Sequence, residues 1–425
     1  MSPDPAIAHA ALRKATWRLI PLIALGYGTA YMDRVNISFA ALQMNRDLHF
    51  SNTVYGLGAG LFFLSYAACE VPSNLLLYRF GARRWLARIM VTWGLLAMAM
   101  IFIRTPAQFY AARFLLGMAE AGFFPGVVFY LMQWYPPHLR ARAITGFYIA
   151  FPLSSVVMGS LAGVLMSLEG RLSLSGWQWL FLVEAIPAVL LGVAFFFLLP
   201  DGPADAPWLT EREREAILAA VPVRSANPES IAPALRDPRT WLIGLFFMFI
   251  QTGNYAFAFS APAIVQKLTD WSIGSTGFFF AALGLGGAAI MLIAGRVSDR
   301  SGERHMHVVP WCFVMLAGFL GCGLSGSPGV ALPALALVFL GYNAMQGPLW
   351  AIPGAFLSGR SAAAGIAAIN MIGILGGFLG PYWMGFARDL TGDYQRGLLT
   401  MTAPMLTAAA IMLYLRRQAK SPGGP

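Results

Sequence analysis

Long apolar runs, separated by short polar connections, make up most of this chain. A helix needs about 20 predominantly apolar residues to cross the hydrocarbon core of a bilayer. The pattern predicts twelve helices of that kind, at residues 17–40, 53–78, 84–103, 107–134, 141–167, 177–199, 240–263, 275–297, 308–326, 331–352, 362–387 and 395–415. Only the short connection SGSPG separates the ninth from the tenth. We therefore expect an all-α integral membrane protein with twelve transmembrane helices.

Composition supports this class. Of the 425 residues, 58% are hydrophobic and 11% are charged, compared with about 25% charged residues in a soluble domain. The three cysteines lie within predicted helices 2 and 9, without the spacing of a metal site or a redox pair: Cys69, Cys312 and Cys322. We expect no disulfide, no metal and no cofactor.

One long hydrophilic stretch, residues 200–239, divides the predicted helices into six and six. Within it, WLTEREREAI predicts a short amphipathic helix capped by Thr210. The expected organisation is a tail at 1–16, a six-helix half at 17–199, a linker at 200–239, a second six-helix half at 240–416 and a tail at 417–425. The two halves are expected to be pseudo-symmetric.

The positive charges predict the orientation of these helices. Of the 29 Lys and Arg residues, 21 lie in or beside the N-terminal tail and the segments that follow even-numbered helices. Because cytoplasmic loops accumulate Lys and Arg, both termini and the linker are expected in the cytoplasm, and a bacterial inner membrane suits this pattern. The net charge of +10 indicates topology and contact with anionic headgroups rather than binding to nucleic acid.

A short basic loop occurs at the same place in both halves. The first copy is RFGARR at residues 79–84 and the second is DRSGER at residues 299–304; Arg79, Gly81 and Arg83 align with Arg300, Gly302 and Arg304 at one constant offset. The residues expected to take part in gating are Arg79, Gly81 and Arg83 in the first loop, and Asp299, Arg300, Gly302 and Arg304 in the second. Paired half-repeats of this kind are typical of alternating-access transporters, whose solute site lies between the halves.

Ionisable residues inside the predicted helices are concentrated in the first half. They are Asp33, Arg34, Glu70, Arg113, Glu120 and Glu184. An ionised side chain at the bilayer centre costs about 2.5 to 3.5 kcal/mol on insertion scales, so such residues usually have a partner or a function. Spacing places Arg113 and Glu120 on one face of helix 4. Tyr27, Tyr31 and Arg34 form one stripe of helix 1, with Asp33 about 100° away.

If helices 1 and 4 face one cavity, two basic and two acidic groups meet near mid-membrane. An arginine guanidinium binds a carboxylate bidentately. An anionic solute would then compete with the internal acid for the arginine and favour protonation of that acid, so that solute and proton bind together. The alternative is that these residues form buried ion pairs that fix helix register.

Several segments resemble the major facilitator superfamily over nearly the whole chain, and more closely its anion:cation symporter family. GRVSDRSGER resembles the superfamily's loop signature, whereas the first-half loop departs from it with Asn74 and Tyr78. The segments similar to the symporter family are YMDRVNISFA, EVPSNLLLYRFGARRW, RFLLGMAEAGFFPGVVFYL, GWQWLFLVEAIPAVLLG and GRSAAAGIAAIN. Bacterial members of that family carry sugar acids, tartrate, phthalate and other aromatic acids.

The resemblance implies a role for each central residue. It implies that Arg34 anchors the solute carboxylate, that Asp33 and Glu120 carry protons, that Arg113 holds ionised Asp33, and that Tyr31 and Tyr66 face the solute. In the second half, Gln251, Tyr255 and Asn370 either bind the solute or bridge packed helices. Ile374 stands where the family often has asparagine, which favours an aromatic or partly apolar acid.

For two further acidic residues, we expect structural roles rather than solute or proton binding. Glu70 precedes the first basic loop and is expected to pair with the arginines there, which would help to close the cytoplasmic side. Glu184, in FLVEAIP, is expected to be a helix-packing or gating group.

The expected function is proton-coupled uptake of a small carboxylate by alternating access, in a monomer, with sodium as an open alternative to protons. A drug or metabolite exporter of the same superfamily is the alternative, but a cation exporter gains nothing from two intramembrane arginines. A membrane-embedded enzyme is not expected, because none of the five histidines lies deep within a predicted helix.

Overall fold

The computed structural model describes residues 5–221, 232–301, 303–353, 356–357 and 359–420. All regular elements within these ranges are helical. The helices before the linker are α1 Pro5–Leu48, α2 Asn52–Phe80, α3 Ala82–Ala99, α4 Pro106–Glu120, α5 Phe123–Met132, α6 Pro137–Tyr148, α7 Ala150–Met166 and α8 Gly176–Leu198. Those of the linker and the second half are α9 Glu211–Ala220, α10 Ala232–Arg236, α11 Pro238–Thr269, α12 Ile273–Ser301, α13 Val309–Leu324, α14 Pro328–Ala351, α15 Gly359–Ile374, α16 Gly376–Thr391, α17 Tyr394–Thr400 and α18 Thr402–Lys420.

Eleven segments of this described part are long and apolar enough to cross a membrane. Several combine two helices in line, such as α4 with α5, α15 with α16, and α17 with α18. Helix α1 is the twelfth long element, with 44 residues, and Asp33 and Arg34 lower its hydropathy. It packs against α6, α7, α8, α9 and α11. The predicted all-α membrane fold is confirmed, including the separate ninth and tenth helices.

Helix α1 begins twelve residues before its predicted start, at Pro5. The sequence AIAHAALRKA is rich in alanine and in long straight side chains, which have high intrinsic helix propensity. The predicted N-terminal tail therefore continues the first helix.

Capping side chains determine where several helices begin. Thr105 and Gln108 form a capping box at the start of α4, where Pro106 occupies the first turn. Thr210 and Glu213 do the same for α9, which confirms the capped helix predicted in the linker. Each box satisfies backbone N–H groups that the first helical turn leaves without partners.

Helix α9 packs against the start of α1. Lys14 Nζ lies 2.9 Å from Glu213 Oε2, and the Arg18 guanidinium lies 5.3 Å from the ring centroid of Trp208. The Thr210 backbone N–H and the Lys14 ammonium group hold the pKa of Glu213 below its ordinary value. We call this end of the helices the linker side, and the opposite end, where α2 begins and α16 ends, the far side.

Two close helix seams join the halves, α2 with α16 and α7 with α12. At the first, a Cβ added to Gly56 would lie 2.3 Å from the carbonyl oxygen of Pro381. At the second, a Cβ added to Gly277 would lie 1.8 Å from the carbonyl oxygen of Gly159. Glycine is required because the backbones touch. Both contacts lie toward the far side, so the halves are closed together there.

The fourth membrane segment is interrupted directly after Glu120. Gly122 adopts a φ of +87°, in the left-handed region that favours glycine, and α5 then begins at Phe123. A Cβ on Gly122 would also lie 2.4 Å from Ser73 Oγ of α2. Because of this break, α4 ends at Glu120, and the Glu120 side chain lies beside α1 and α2.

Candidate functional site

A central cavity lies between the halves, with about 470 Å³ of empty space, including the part open to solvent. Its lining comes from α1, α2, α5, α6, α7, α11, α14 and α15. The lining residues are Tyr27, Tyr31, Arg34, Tyr66, Phe124, Tyr148, Phe151, Phe247, Gln251, Tyr255, Tyr342, Trp350, Asn370 and Ile374. Ten of these fourteen are aromatic. The cavity therefore presents ring faces, tyrosine hydroxyls, two amides and one arginine.

All six residues predicted to contact the solute line this cavity: Arg34, Tyr31, Tyr66, Gln251, Tyr255 and Asn370. Ile374 lines it too. Helical spacing places Tyr27, Tyr31 and Arg34 on the cavity face of α1, as predicted. What each residue binds remains a prediction.

Arg34 forms a buried ion pair with Glu120 of α4. Its Nε donates to Glu120 Oε1 at 2.7 Å, and its Nη2 lies 2.5 Å from the same oxygen. The other carboxylate oxygen of Glu120 is buried and has no hydrogen-bond partner among the described residues. Because the guanidinium reaches the cavity while Glu120 lies behind it, an anion in the cavity would approach Arg34 from the side opposite Glu120.

Aromatic rings surround the Arg34 guanidinium. Its Cζ lies 4.9 Å from the ring centroid of Tyr66 and 5.8 Å from that of Phe62. The side chain of Tyr255 interacts with it from the second half. Ring faces attract the cation, so these rings hold the guanidinium in place at the cavity wall.

Asp33 does not line the cavity. Its Oδ2 accepts a hydrogen bond from Trp93 Nε1 at 3.1 Å, and its Oδ1 accepts one from Asn36 Nδ2 at 3.4 Å. The side chain is 3% exposed. The 100° angular offset from Arg34 turns Asp33 toward α3 and α8 instead.

Arg113 is fully buried beside Phe62, whose ring centroid lies 4.8 Å from its Cζ. Within the described residues, none of its three side-chain nitrogens has a hydrogen-bond partner, and no ion pair within 4 Å joins it to Asp33. The charge of Asp33 nevertheless acts on it. The predicted pairing of Arg113 with Asp33 is thus not formed as a direct contact in this conformation.

Glu70 has a different partner from the one predicted. Its Oε1 accepts a hydrogen bond from Asn370 Nδ2 at 3.1 Å, rather than pairing with the arginines of the first basic loop. Helix α2 runs beside the α15–α16 segment, so Glu70 faces the second half. The contact bridges the halves toward the linker side.

The two basic loops contact the last helices of their own halves. In the first loop, Gly81 has a φ of +86°, Arg79 lies over the Phe80 ring, and the backbone N–H of Arg83 donates to Asp201 Oδ1 at 2.9 Å. In the second, Arg304 Nη1 donates to Ser298 Oγ at 3.0 Å, Glu303 lies 3.9 Å from Arg416, and Arg300 is exposed. Gly302 and the side chain of Asp299 lie outside the described residues. Gating by these loops remains a prediction.

Sequence reasoning missed most of the aromatic lining. Phe247, Tyr342 and Trp350 line the cavity from the second half, yet each lies in an apolar run where an aromatic residue is ordinary. The sequence did offer one indication of their position: Gln251 and Gln346 lie one helical turn from them, and polar residues within an apolar run indicate the face of the helix that lines a cavity.

Sequence reasoning also missed a hydrogen-bonded far-side clasp between Asp389 of α16 and the start of α2. Asp389 accepts from the backbone N–H and Nδ2 of Asn52, at 3.2 and 2.7 Å, and from the N–H and Oγ1 of Thr53, both at 2.6 Å. Arg388 Nη1 donates to Asn52 Oδ1 at 2.7 Å. The clasp uses the unpaired N–H groups of a helix N-terminus, which favour an anion.

The family model described as "Major Facilitator Superfamily" matches residues 23–381. The chain belongs to the major facilitator superfamily. A "Putative tartrate transporter" of Agrobacterium vitis is 44% identical to this superfamily member over 417 residues, covering 97% of the chain and 96% of the relative. The "Quinolone resistance transporter" of Acinetobacter baumannii is 39% identical, covering 93% and 92%. The predicted family membership is confirmed.

A solved bacterial homologue of the human lysosomal transporter Spinster shares the fold of this superfamily member. Its TM-score is 0.76 at 16% identity, covering 94% of this chain and 96% of that one. Family, relatives and fold agree on a multi-pass membrane transporter.

Proposed function

We propose that this transporter takes up a small organic anion together with protons, by alternating access. The solute is a carboxylate such as tartrate, a sugar acid, phthalate or another aromatic acid. The observation that carries this proposal is Arg34, which bears the only full charge among the cavity-lining residues of the described chain. Its guanidinium fork matches one carboxylate group, and the tyrosine hydroxyls and amides around it suit hydroxyls on the rest of the solute.

Glu120 supplies the proposed coupling. In this structure it is ion-paired with Arg34. When the solute carboxylate binds Arg34, the buried carboxylate of Glu120 loses part of the attraction to the Arg34 charge that offsets its own negative charge. An uncompensated buried charge is costly, so Glu120 takes a proton. Solute and proton then cross together, and loss of the proton on the other side restores the ion pair and expels the solute.

The two ends of the molecule supply the proposed gates. The far side is held by the glycine seams and the Asp389 clasp. Toward the linker side, the hydrogen bond between Glu70 and Asn370 bridges the halves. Rocking of one half against the other would open one end as the other closes.

The basic segments support a cytoplasmic position for the linker and both termini. The protein would therefore be a monomeric permease of the bacterial inner membrane, with no cofactor. Its partners would be the carboxylate, protons and the lipid bilayer.

The test uses purified full-length protein in proteoliposomes with an internal pH dye. Tartrate, a sugar acid, phthalate and hydroxyphenylacetate are added outside in turn, at low external pH. We expect proton entry driven by at least one acid. Solute uptake that does not respond to a pH gradient, but responds to a sodium gradient, would contradict proton coupling.

Proton-coupled export of aromatic compounds is a second candidate. The aromatic lining favours it, as does the relative named for quinolone resistance. The two candidates differ in direction. In inside-out vesicles with an acidic interior, an exporter accumulates its aromatic solute, whereas a symporter accumulates its acid when the exterior is the acidic side.

The Asp389 clasp predicts a change in the balance of conformations. Asp389→Asn removes the negative charge and turns an NH₂ group toward the donor groups of Asn52 and Thr53. The far side then loses roughly 1.4 kcal/mol of charge-assisted hydrogen bonding, so we expect the population of the conformation open on that side to rise about tenfold. Spin labels at Leu172 and Leu390, both exposed on the far side, report the opening as longer distances by electron paramagnetic resonance.

The matched control for that experiment is Asp393→Asn, because Asp393 caps α17 within the second half by accepting a hydrogen bond from the Gln395 backbone N–H. It should leave the distance distribution unchanged. An unchanged distribution in Asp389→Asn as well would show that the clasp does not hold the far side closed.

The lining position Ile374 predicts a change in solute preference. Ile374→Asn adds hydrogen-bonding groups to the cavity, so we expect uptake of tartrate relative to hydroxyphenylacetate to rise about fivefold, from one new hydrogen bond of roughly 1 kcal/mol. Competition between the two radiolabelled acids measures the ratio. Ile374→Val is the control, because it removes a methylene without adding a polar group and should leave the ratio unchanged. An equal shift in both variants would attribute the effect to volume.

A further inference from the structure

We propose that Gln346 determines solute specificity by fixing Trp350 against Phe247, so that the two rings form a wall that selects acids with a flat ring. This inference rests on the proposed function, because it concerns which carboxylate the cavity accepts. Phe247 of α11 and Trp350 of α14 both line the cavity. Their ring centroids lie 5.1 Å apart at an interplanar angle of 76°, which is an edge-to-face arrangement.

The side chain of Gln346 holds the indole of Trp350. Trp350 Nε1 donates to Gln346 Oε1 at 3.3 Å, and Gln346 Nε2 donates to the backbone carbonyl of Tyr342 at 3.3 Å. Gln346 is 2% exposed and is not among the lining residues. Its bound nitrogen fixes the amide with the oxygen toward Trp350. Because an indole N–H can only donate, this oxygen determines the direction in which the ring lies.

A proline lies between the two bonded residues. Pro348 is inside α14, and proline has no N–H, so the helix lacks one backbone hydrogen bond there and can bend. The bond between Gln346 and Trp350 connects the part of the helix before Pro348 to the part after it. It therefore keeps the Trp350 ring in place across the weakest point of the helix.

The second ring is held from α15. A Cβ added to Gly373 would collide with the Phe247 ring, so this ring fills the space that a side chain would occupy. Phe247 is also 3% exposed. Residues outside the cavity lining thus fix both rings, and neither can turn away from the solute. Packing between aromatic rings gains more than burial alone, so the wall favours a flat ring over a saturated ring of the same size.

The cavity offers its charge and this wall from different halves. Arg34 of α1 bears the one full charge among the described lining residues, whereas Phe247 and Trp350 belong to the second half. An aromatic acid with one carboxylate contacts both at once, with the carboxylate on Arg34 and the ring on the wall. Gln346 is a positioning residue in this arrangement, because it acts on the solute only through Trp350.

A competition assay tests the selection with two solutes that differ in one property. Hydroxyphenylacetate and its saturated analogue hydroxycyclohexylacetate have the same charge and polar groups, but only the first has a flat ring. We expect the parent to prefer hydroxyphenylacetate about tenfold in proteoliposome uptake, and Gln346→Met to lower this preference about fivefold. Equal uptake of the two acids by the parent, or uptake of tartrate with neither ring acid, would overturn the proposal.

Two further variants separate positioning from packing. Trp350→Phe removes the N–H group, so Gln346→Met should have no further effect on the preference in that background. The same fall with and without Trp350 would show that Gln346 acts by packing alone and would overturn the proposal. Gln418→Met is the matched control, because Gln418 bonds an aromatic residue four positions away, Tyr414, on the exposed face of α18. It should leave the preference unchanged.

Fluorine NMR tests the position of Trp350 without transport. With fluorotryptophan incorporated into the full-length protein, the resonance lost in Trp350→Phe belongs to Trp350. We expect hydroxyphenylacetate to shift this resonance in the parent, and Gln346→Met to displace and broaden it without any solute. An unchanged resonance in Gln346→Met would overturn the proposal.

The same measurements keep the proposal separate from the proposed function. If the parent moves no protons with any acid, the proposed function fails, while the resonance still decides whether Gln346 holds Trp350 and whether the ring acid reaches it. If Gln346→Met does not fold, Trp350→Phe decides the matter, because an unchanged preference in that variant would show that the wall does not select the solute.

Discussion

Arg34→Ala is expected to abolish uptake of the carboxylate, lowering the rate at least about 100-fold. Removing one partner of a buried charge pair costs about 3 kcal/mol or more, and each 1.4 kcal/mol is a factor of ten. Two effects combine, because the solute loses the one cationic group among the described cavity-lining residues and Glu120 loses its partner. Initial rates of radiolabelled solute uptake in proteoliposomes measure the change.

Three variants separate these effects. Arg46→Ala removes an arginine whose side chain is 75% exposed, and should transport normally. Arg34→Lys retains the charge without the bidentate fork, and should bind the solute more weakly than the parent. The double variant Arg34→Ala with Glu120→Gln removes the orphaned charge, so thermal stability should recover while transport stays absent. Normal concentrative uptake by Arg34→Ala would remove this residue from the proposed site.

Glu120→Gln is expected to separate solute movement from proton movement. Glutamine cannot ionise, so it competes weakly for Arg34 and carries no proton. We expect uptake driven by a pH gradient to fall to background, while exchange of labelled for unlabelled solute across the membrane is retained. The paired measurement of gradient-driven uptake and counterflow in one preparation of proteoliposomes checks this result.

The control for Glu120→Gln is Glu211→Gln on the linker helix, whose glutamate side chain is 71% exposed. That variant should keep both activities. Retention of concentrative uptake by Glu120→Gln would assign proton coupling to another acid. Loss of exchange as well as uptake would show instead that Glu120 is needed to hold Arg34 in place.

The two expected phenotypes depend on the same short ion pair, and they differ because its partners face different surroundings. Arg34 reaches the cavity, whereas Glu120 is fully buried behind it at the end of α4. A solute therefore meets the cation directly and acts on the acid only through it. In the proposed mechanism, this arrangement makes competition for the arginine a coupling step rather than simple binding.

Local sequence was sufficient for the membrane fold and for one wall of the cavity. Apolar length determined the spans, because each helix must satisfy its own backbone hydrogen bonds in lipid. Helical periodicity placed Tyr27, Tyr31 and Arg34 on one face and turned Asp33 away from it. The capping box at Thr210 determined where the linker helix begins. All these features arise within a few residues of chain.

The tertiary structure alone decided which charged and polar groups meet. Arg34 and Glu120 are 86 positions apart, Glu70 and Asn370 are 300 apart, and Asn52 and Asp389 are 337 apart. Periodicity gives the face on which a side chain lies but not the helix opposite it. The family resemblance paired Arg113 with Asp33, whereas in this conformation the Arg113 guanidinium lies beside Phe62 and makes no direct contact with Asp33 within the described residues. Partner choice in this transporter depends on how twelve helices rotate and pack against one another, which no single segment encodes.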